Sequence, residues 1–461
     1  MLRTIFIINL FVLFFCPVCI GQTQTQSQAI NSKKQEIVFE AVNVIPMDRE
    51  TVMPNQTVVV KKGIITQIGE TGKVKYSKKA LIINAKGKFL MPGLAEMHAH
   101  VPPIEDMNPM KKVLTLFAFN GVTTIRGMLG HPKHLELKKE IEKGNILSPR
   151  FYTSGPSFNG ISVKTPEGGA EMVRNQKRAG YDFMKMHPGL TVANFEAIVK
   201  TAQEVKMTFA GHVSAKVGIW RAIDARYATI DHLDGFMESL VPNVEGMAES
   251  DIGLFGMFLA QKADTTQLPR LMKALNEKNI WIVPTQALAE RWFNPNKEPS
   301  YYATEPEMKY MTAEEVEAWV TAKTNLHKNP KFEKNLVNQF IQLRRKMIYE
   351  CYKNGVGLLL GSDAPQVFDV PGFSLHHELK YMVASGLTPY QALQTGTVNV
   401  ARFYNRTDMG VVRKGAVSDL ILLSSNPLEN IEATKNIEGV MLGNLWLSNA
   451  FIQAELKKLA R

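Results

Sequence analysis

Cysteine is scarce: three in 461 residues, two of which, Cys16 and Cys19, share one N-terminal apolar segment. If that segment is removed, only Cys351 remains, and an intrachain disulfide is excluded. No other segment is apolar over the roughly 20 residues that a membrane-spanning helix needs. The N-terminal run itself, 5–15, follows Arg3 and is trailed by Pro17 and the small Gly21. This order reads as a signal peptide over 1–21 and places the mature protein in the periplasm or outside the cell, with no integral membrane segment after cleavage. An uncleaved anchor helix or a lipid on Cys19 is the alternative. Arginine-rich helices and aromatic–basic stripes are also lacking. The formal charge of +11 is spread along the chain, which argues against a nucleic-acid partner and fits solubility or weak attraction for anions.

What is present is ordinary globular material, 45% hydrophobic and 21% charged, in a chain long enough for one large domain and a smaller one. Residues 22–36 form a polar leader without expected regular structure. The stretch 37–85 contains short strand-like runs (IVFEAVNVI, QTVVVKKGIITQIG, ALIINAKGK) and no helical period. From 89 the pattern changes to apolar β-like runs alternating with amphipathic helices, expected at 109–120, 132–143, 192–204, 216–226, 269–279 and 332–354. Eight such units predict an α/β fold, a (β/α)8 TIM barrel over 89–406, with strands buried throughout. One further helix is expected at 388–404. Strand character returns in GVVRKGAVSDLILLS, 410–424, and in 439–452. The two ends, 37–88 and 407–461, are therefore expected to pair into one small β-sandwich. Two connections are long, 235–264 and 287–331. The second is rich in aromatics and reads equally as a lid, as added packing or as a subunit contact in a homo-oligomer.

In KFLMPGLAEMHAH a short apolar run ends in two histidines at i and i+2. On an extended chain, His98 and His100 project from one face, as two ligands of one ion would. Alone the pair is weak, since the chain has ten histidines. The company strengthens it. Lys185, His212, His232 and Asp363 each end another apolar run, and the C-terminal strand ends are where a barrel of this kind places its active site. Four imidazoles and a carboxylate suit a divalent ion such as zinc. Lys185 alone reads as a surface lysine. In an electropositive pocket its amine would lose its proton and could add CO₂, giving an anionic carbamate that bridges two metals.

These motifs resemble the amidohydrolase superfamily, and within it the imidazolonepropionase-like and Xaa-Pro dipeptidase-like branch. The pieces that carry the resemblance are MPGLAEMHAH, GVTTIR, YDFMKM, FAGH, TIDH, LLLGSDA, SLHHEL, GLTPYQALQTGTVNVARFY and GVVRKGAVSDLILLSSNPLENI. The resemblance implies a hydrolase of C–N bonds with two divalent metals, expected to be zinc. His98, His100 and Asp363 would bind the more buried metal, His212 and His232 the second, and carboxylated Lys185 would bridge them. Asp363 would be catalytic, moving the proton of a metal-activated hydroxide to the leaving nitrogen. A dipeptide or similar small molecule is the expected substrate. A mononuclear hydrolase of a cyclic amide and a non-catalytic binding barrel are the alternatives. Gly127 stands where relatives often have Asp, SGPSFNGISVKTPEGG lacks their glycine–histidine segment, and Ala215 replaces the Glu of deaminases. Candidate substrate contacts are His187, Arg126, Tyr152 and Gln286. His376 is expected to pack or to support the site from behind.

Overall fold

The computed structural model describes residues 29–244 and 246–461. The expected signal peptide, 1–21, lies outside the described residues, as do residues 22–28 of the polar leader. Six strands open the chain: β1 (Ile30–Asn31), β2 (Ile37–Val44), β3 (Met53–Lys61), β4 (Ile64–Glu70), β5 (Leu81–Asn84) and β6 (Phe89–Pro92). Seven belong to the barrel: β7 (Leu94–Ala99), β8 (Val122–Gly127), β9 (Arg150–Thr153), β10 (Met184–Met186), β11 (Phe209–Gly211), β12 (Thr229–Asp231) and β13 (Trp281–Val283). Three close it off: β14 (Leu420–Leu423), β15 (Ile437–Leu442) and β16 (Leu445–Ser448), before the helix Asn449–Leu459.

The barrel strands are parallel and run β7-β8-β9 and β10-β11-β12-β13. A bridge from Ser154 to Phe183 joins the two groups. The eighth member is the short run Leu358 to Leu360. It bridges Ile282 on one side, and Leu360 accepts the Met97 N–H at 2.8 Å on the other, closing the ring. Every residue of β7 and β8 is buried, because helices cover the outside and packed side chains fill the inside. The surrounding helices follow their sequence signals. Val192–Glu204 has the expected bounds, and Thr191 caps it by accepting the Asn194 N–H. The expected single helix over 388–404 is instead two, Pro389–Thr395 and Val398–Phe403. The break has a cause: the carbonyls of Thr395 and Gly396 turn inward to accept the N–H groups of Leu360 and Ala95.

The two ends of the chain share one mixed sheet, ordered β1-β16-β15-β14-β6-β2-β3-β4, with β5 on β2. Its middle is the antiparallel pair β6–β14, in which Leu90 faces Leu422. The sheet rolls over until its ends meet. Lys62 donates to the Ser32 carbonyl at 3.2 Å and the Gly63 N–H to Ser32 Oγ at 3.3 Å, while Phe39 meets Trp446 edge-on at 5.1 Å. Part of the leader thus takes regular structure after all, since β1 pairs with β16.

The aromatic connection 287–331 is largely packed. Tyr302, Tyr310 and Trp319 stack on or edge against Phe368 and Phe373. Buried Lys323 donates to the carbonyls of Arg291, Trp292 and Asn294 at 2.9–3.0 Å. The other connection, 235–264, reaches over the barrel mouth.

Candidate metal centre

All six expected ligands converge at the C-terminal mouth of the barrel. Their backbones are tied to neighbouring strands. His100 N–H donates to the Ala364 carbonyl, Asp363 N–H to His98, His212 N–H to Met186 and His232 N–H to Val283, all at 2.8–3.0 Å. His232 and Asp363 hold left-handed backbones, with φ of 62° and 71°. Such a conformation in a residue with a side chain costs on the order of 1–3 kcal/mol and gathers at functional sites.

Two imidazoles are held through Nδ1, and a third has a carboxylate beside its Nδ1. His212 Nδ1 lies 2.7 Å from Asp234 Oδ2, and His232 Nδ1 lies 2.9 Å from Thr285 Oγ1. His98 Nδ1 is 2.9 Å from Asp231 Oδ2, close but out of line for a hydrogen bond. Holding one ring nitrogen this way frees Nε2 to coordinate. The Nε2 atoms of His98 and His100 stand 3.2 and 3.0 Å from Asp363 Oδ1. Yet that oxygen, like His232 Nε2, is buried without a hydrogen-bond partner. Buried ligand atoms without partners are what a cation would satisfy, and His98, His232 and Asp363 each bring one possible ligand atom within 4.8 Å of the others.

Lys185 is fully buried, with Nζ 3.1 Å from His98 Nε2. Its path needs Gly211, where a Cβ would stand 2.7 Å from Lys185 Cδ. Burial and neighbouring cations shape the protonation of the whole group. Desolvation lowers the Lys185 amine from its ordinary range. It also holds His98, His212 and His232 well below the usual imidazole value and His100 at about 3, so the rings are neutral and their lone pairs available. The Asp363 carboxyl is pushed up to about 8 by the same burial.

The candidate substrate contacts separate. His187 faces the open side, its ring 4.7 Å from and perpendicular to His212. The other three do not reach it. Arg126 is 2% exposed and spends its guanidinium on the Met97 carbonyl and Thr229 Oγ1, between the rings of Phe183 and Phe403. Gln286 is buried against Arg344 and Glu290, and Tyr152 stacks on Tyr404 at 4.4 Å. His376 packs away from the centre, 3.0 Å from Thr434 Oγ1.

Several contributors escaped the sequence reading: Asp231, Asp234, Thr285, Glu96 and Phe255. Glu96 is buried and accepts from the His98 and Ser362 N–H groups, clamping β7 to the turn that carries Asp363. Phe255 comes from the connection 235–264 and stacks on His232 at 5.3 Å. A second acid–histidine group, Glu305, Glu307 and His377, is already balanced by Arg291 and by its own Glu307–His377 contact of 2.9 Å.

A model of the Amidohydrolase family matches residues 89–445. Ochratoxinase of Aspergillus niger is 23% identical over 452 residues, covering 88% of this chain and 85% of its own. Among solved structures, a Xaa-Pro dipeptidase with bound methionine superposes with a TM-score of 0.65 at 19% identity, covering 90% of this chain and 100% of its own. A bottromycin amidohydrolase gives 0.69 at 20%, covering 92% and 89%.

Proposed function

This chain belongs to the amidohydrolase family, as a metal-dependent hydrolase of C–N bonds, and from that premise we propose that it cleaves the amide bond of a dipeptide or dipeptide-like small molecule at a two-cation centre. The observation that carries the reading is the convergence of four imidazoles, Asp363 and buried Lys185 at one barrel mouth, where Asp363 Oδ1 and His232 Nε2 are buried without hydrogen-bond partners. The dipeptide class rests on the likeness to a Xaa-Pro dipeptidase.

His98, His100 and Asp363 would hold the deeper cation, His212 and His232 the other, and an imidazole–carboxylate set of this kind suits zinc. Lys185, its pKa lowered by burial, would as the free amine add CO₂ and release one proton, and the resulting carbamate would help hold the cations. Bound there, the cations would acidify a water molecule and polarise the scissile carbonyl. Asp363 would take the proton of the attacking water and deliver it to the leaving nitrogen. His187, held neutral with a pKa of about 3 mainly by burial, would offer the substrate a hydrogen bond from the open side. A one-cation version draws on a specific observation, since His98, His232 and Asp363 alone already form a compact ligand group.

The test is to strip the protein with a chelator, reload it with zinc and bicarbonate, and assay a dipeptide library that includes Xaa-Pro members. Chelator-sensitive hydrolysis with close to two ions per chain supports the reading. One ion with Lys185 unmodified favours the one-cation version. Full metal loading without hydrolysis of any dipeptide removes the dipeptide class.

A further inference from the structure

Beside His212 the barrel mouth continues into a cleft of about 510 Å³. One wall comes from the sequence Gly253-Leu254-Phe255-Gly256. Phe255 is left-handed there, with φ of 54°, between glycines at 74° and 77°. That turn lays its ring on His232 and makes it the wall nearest the metal centre. Val213, Ile252, Leu254, Met257 and Leu326 extend the apolar lining.

The charged side chains in this cleft are of one sign, beside the neutral Ser250 and Asn329. Asp234, Glu238 and Glu249 line it, and no lysine or arginine does among the described residues. Asp234 is occupied, accepting from His212 and from the Val213 N–H. Glu238 is only half satisfied: its carboxyl draws on the backbone N–H groups of Gly235 and of Glu238 itself, while its Oε2 is buried and without a hydrogen-bond partner. That oxygen lies next to Gly256, where a Cβ would come within 3.2 Å of it. Burial raises the Glu238 carboxyl to about 7, as expected of an acid lacking its counter-charge. A carboxylate-bearing group would be repelled by such walls. A purely apolar group would leave Glu238 Oε2 desolvated and without a partner.

We propose that this cleft is a specificity subsite for a substrate group that is aliphatic along its length and cationic at its tip, such as a lysine or arginine side chain, with Glu238 as the residue that selects the charge. The inference rests on the hydrolase reading above and narrows its substrate class.

The first test measures binding alone. The zinc-loaded protein is titrated calorimetrically with hexylguanidinium and with hexylurea, which is isosteric and neutral, and neither depends on turnover. The guanidinium should bind at least tenfold more tightly, and Glu238→Gln should reduce that ratio below about threefold. Equal affinities in the wild-type protein, or a ratio that Glu238→Gln leaves unchanged, overturn the proposal. The wild-type comparison decides the matter even if the variant fails to fold. The second test assays Ala-Arg against Ala-citrulline and Arg-Ala against citrulline-Ala. The arginine member of one pair should lead in kcat/KM by tenfold or more, and a citrulline preference in both pairs counts against the subsite. No hydrolysis of any pair, with the binding preference intact, counts against the dipeptide reading and leaves the subsite standing.

Discussion

Asp231 Oδ2 stands 2.9 Å from His98 Nδ1, both atoms buried. Thr229 Oγ1 donates to the other carboxylate oxygen at 2.6 Å, and Arg126 lies 3.5 Å from it. The carboxylate is thus fixed from behind and sets which nitrogen of His98 faces the centre. Removing such an outer partner costs metal affinity by roughly 10–100-fold. Asp231→Ala should lose zinc to a competing chelator by about that factor, and Asp234→Ala should do the same through His212. Unchanged zinc retention in both would show that the ring orientations need no carboxylate.

Asp363→Asn should keep most of the metal and lose nearly all turnover. The amide retains one oxygen ligand but has no basicity, and general-base catalysis contributes about 10²–10⁴-fold. A rate within about tenfold of the wild type, roughly 1.4 kcal/mol of barrier, would show that Asp363 does not carry the proton.

Acid should weaken the fold through histidines away from the centre. His134 is buried, 3.1 Å from the Pro102 carbonyl, and burial lowers its pKa to about 4. His376 is likewise lowered to about 3. A group depressed in the folded state contributes stability that is complete above its unfolded value near 6.5 and is lost as pH falls through the folded value. Denaturant midpoints should therefore drop between pH 6.5 and about 4, and His134→Asn should show a shallower drop. An identical slope in the variant would assign the acid loss elsewhere.

Deleting 410–461 removes β14, which pairs with β6 along its whole length. It also removes Trp446, the ring that packs on Phe39. Limited proteolysis should then cut within 37–85, where the intact chain resists. Equal protection in both would mean that the N-terminal strands hold together alone.

The barrel, its order and the meeting of the six candidate ligands were legible because each of those residues ends an apolar run, and the short-range pattern survives folding. The shared sheet of the two termini was legible for a similar reason, since each end is strand-rich and too small to cover its own apolar face. The supporting carboxylates were not. Asp231 directly precedes His232, and simple strand alternation would send the two side chains to opposite faces. The left-handed backbone at His232 cancels that rule. Arg126 misled because a strand-end arginine reads as a ligand for a carboxylate. Only packing showed its guanidinium enclosed beneath the centre. Phe255 and Glu238 sit in a long connection without periodicity, where sequence spacing says nothing about which side chain turns inward.

Between β6, in the terminal sheet, and β7, which carries His98 and His100, there is a single residue, Gly93. Its N–H donates to the Asp419 carbonyl at 2.8 Å, and a Cβ there would stand 2.1 Å from the Thr123 side chain. This joint has no slack. Gaining or losing one residue would slide β7 against its neighbours and turn both histidines to the opposite face. The connection 235–264, by contrast, can lengthen, shorten or change its side chains without moving a strand. For a lineage of such proteins, new substrates are therefore accessible by rewriting the rim. The joint at Gly93 admits almost no edits, and it keeps the same chemistry beneath whatever rim is written above it.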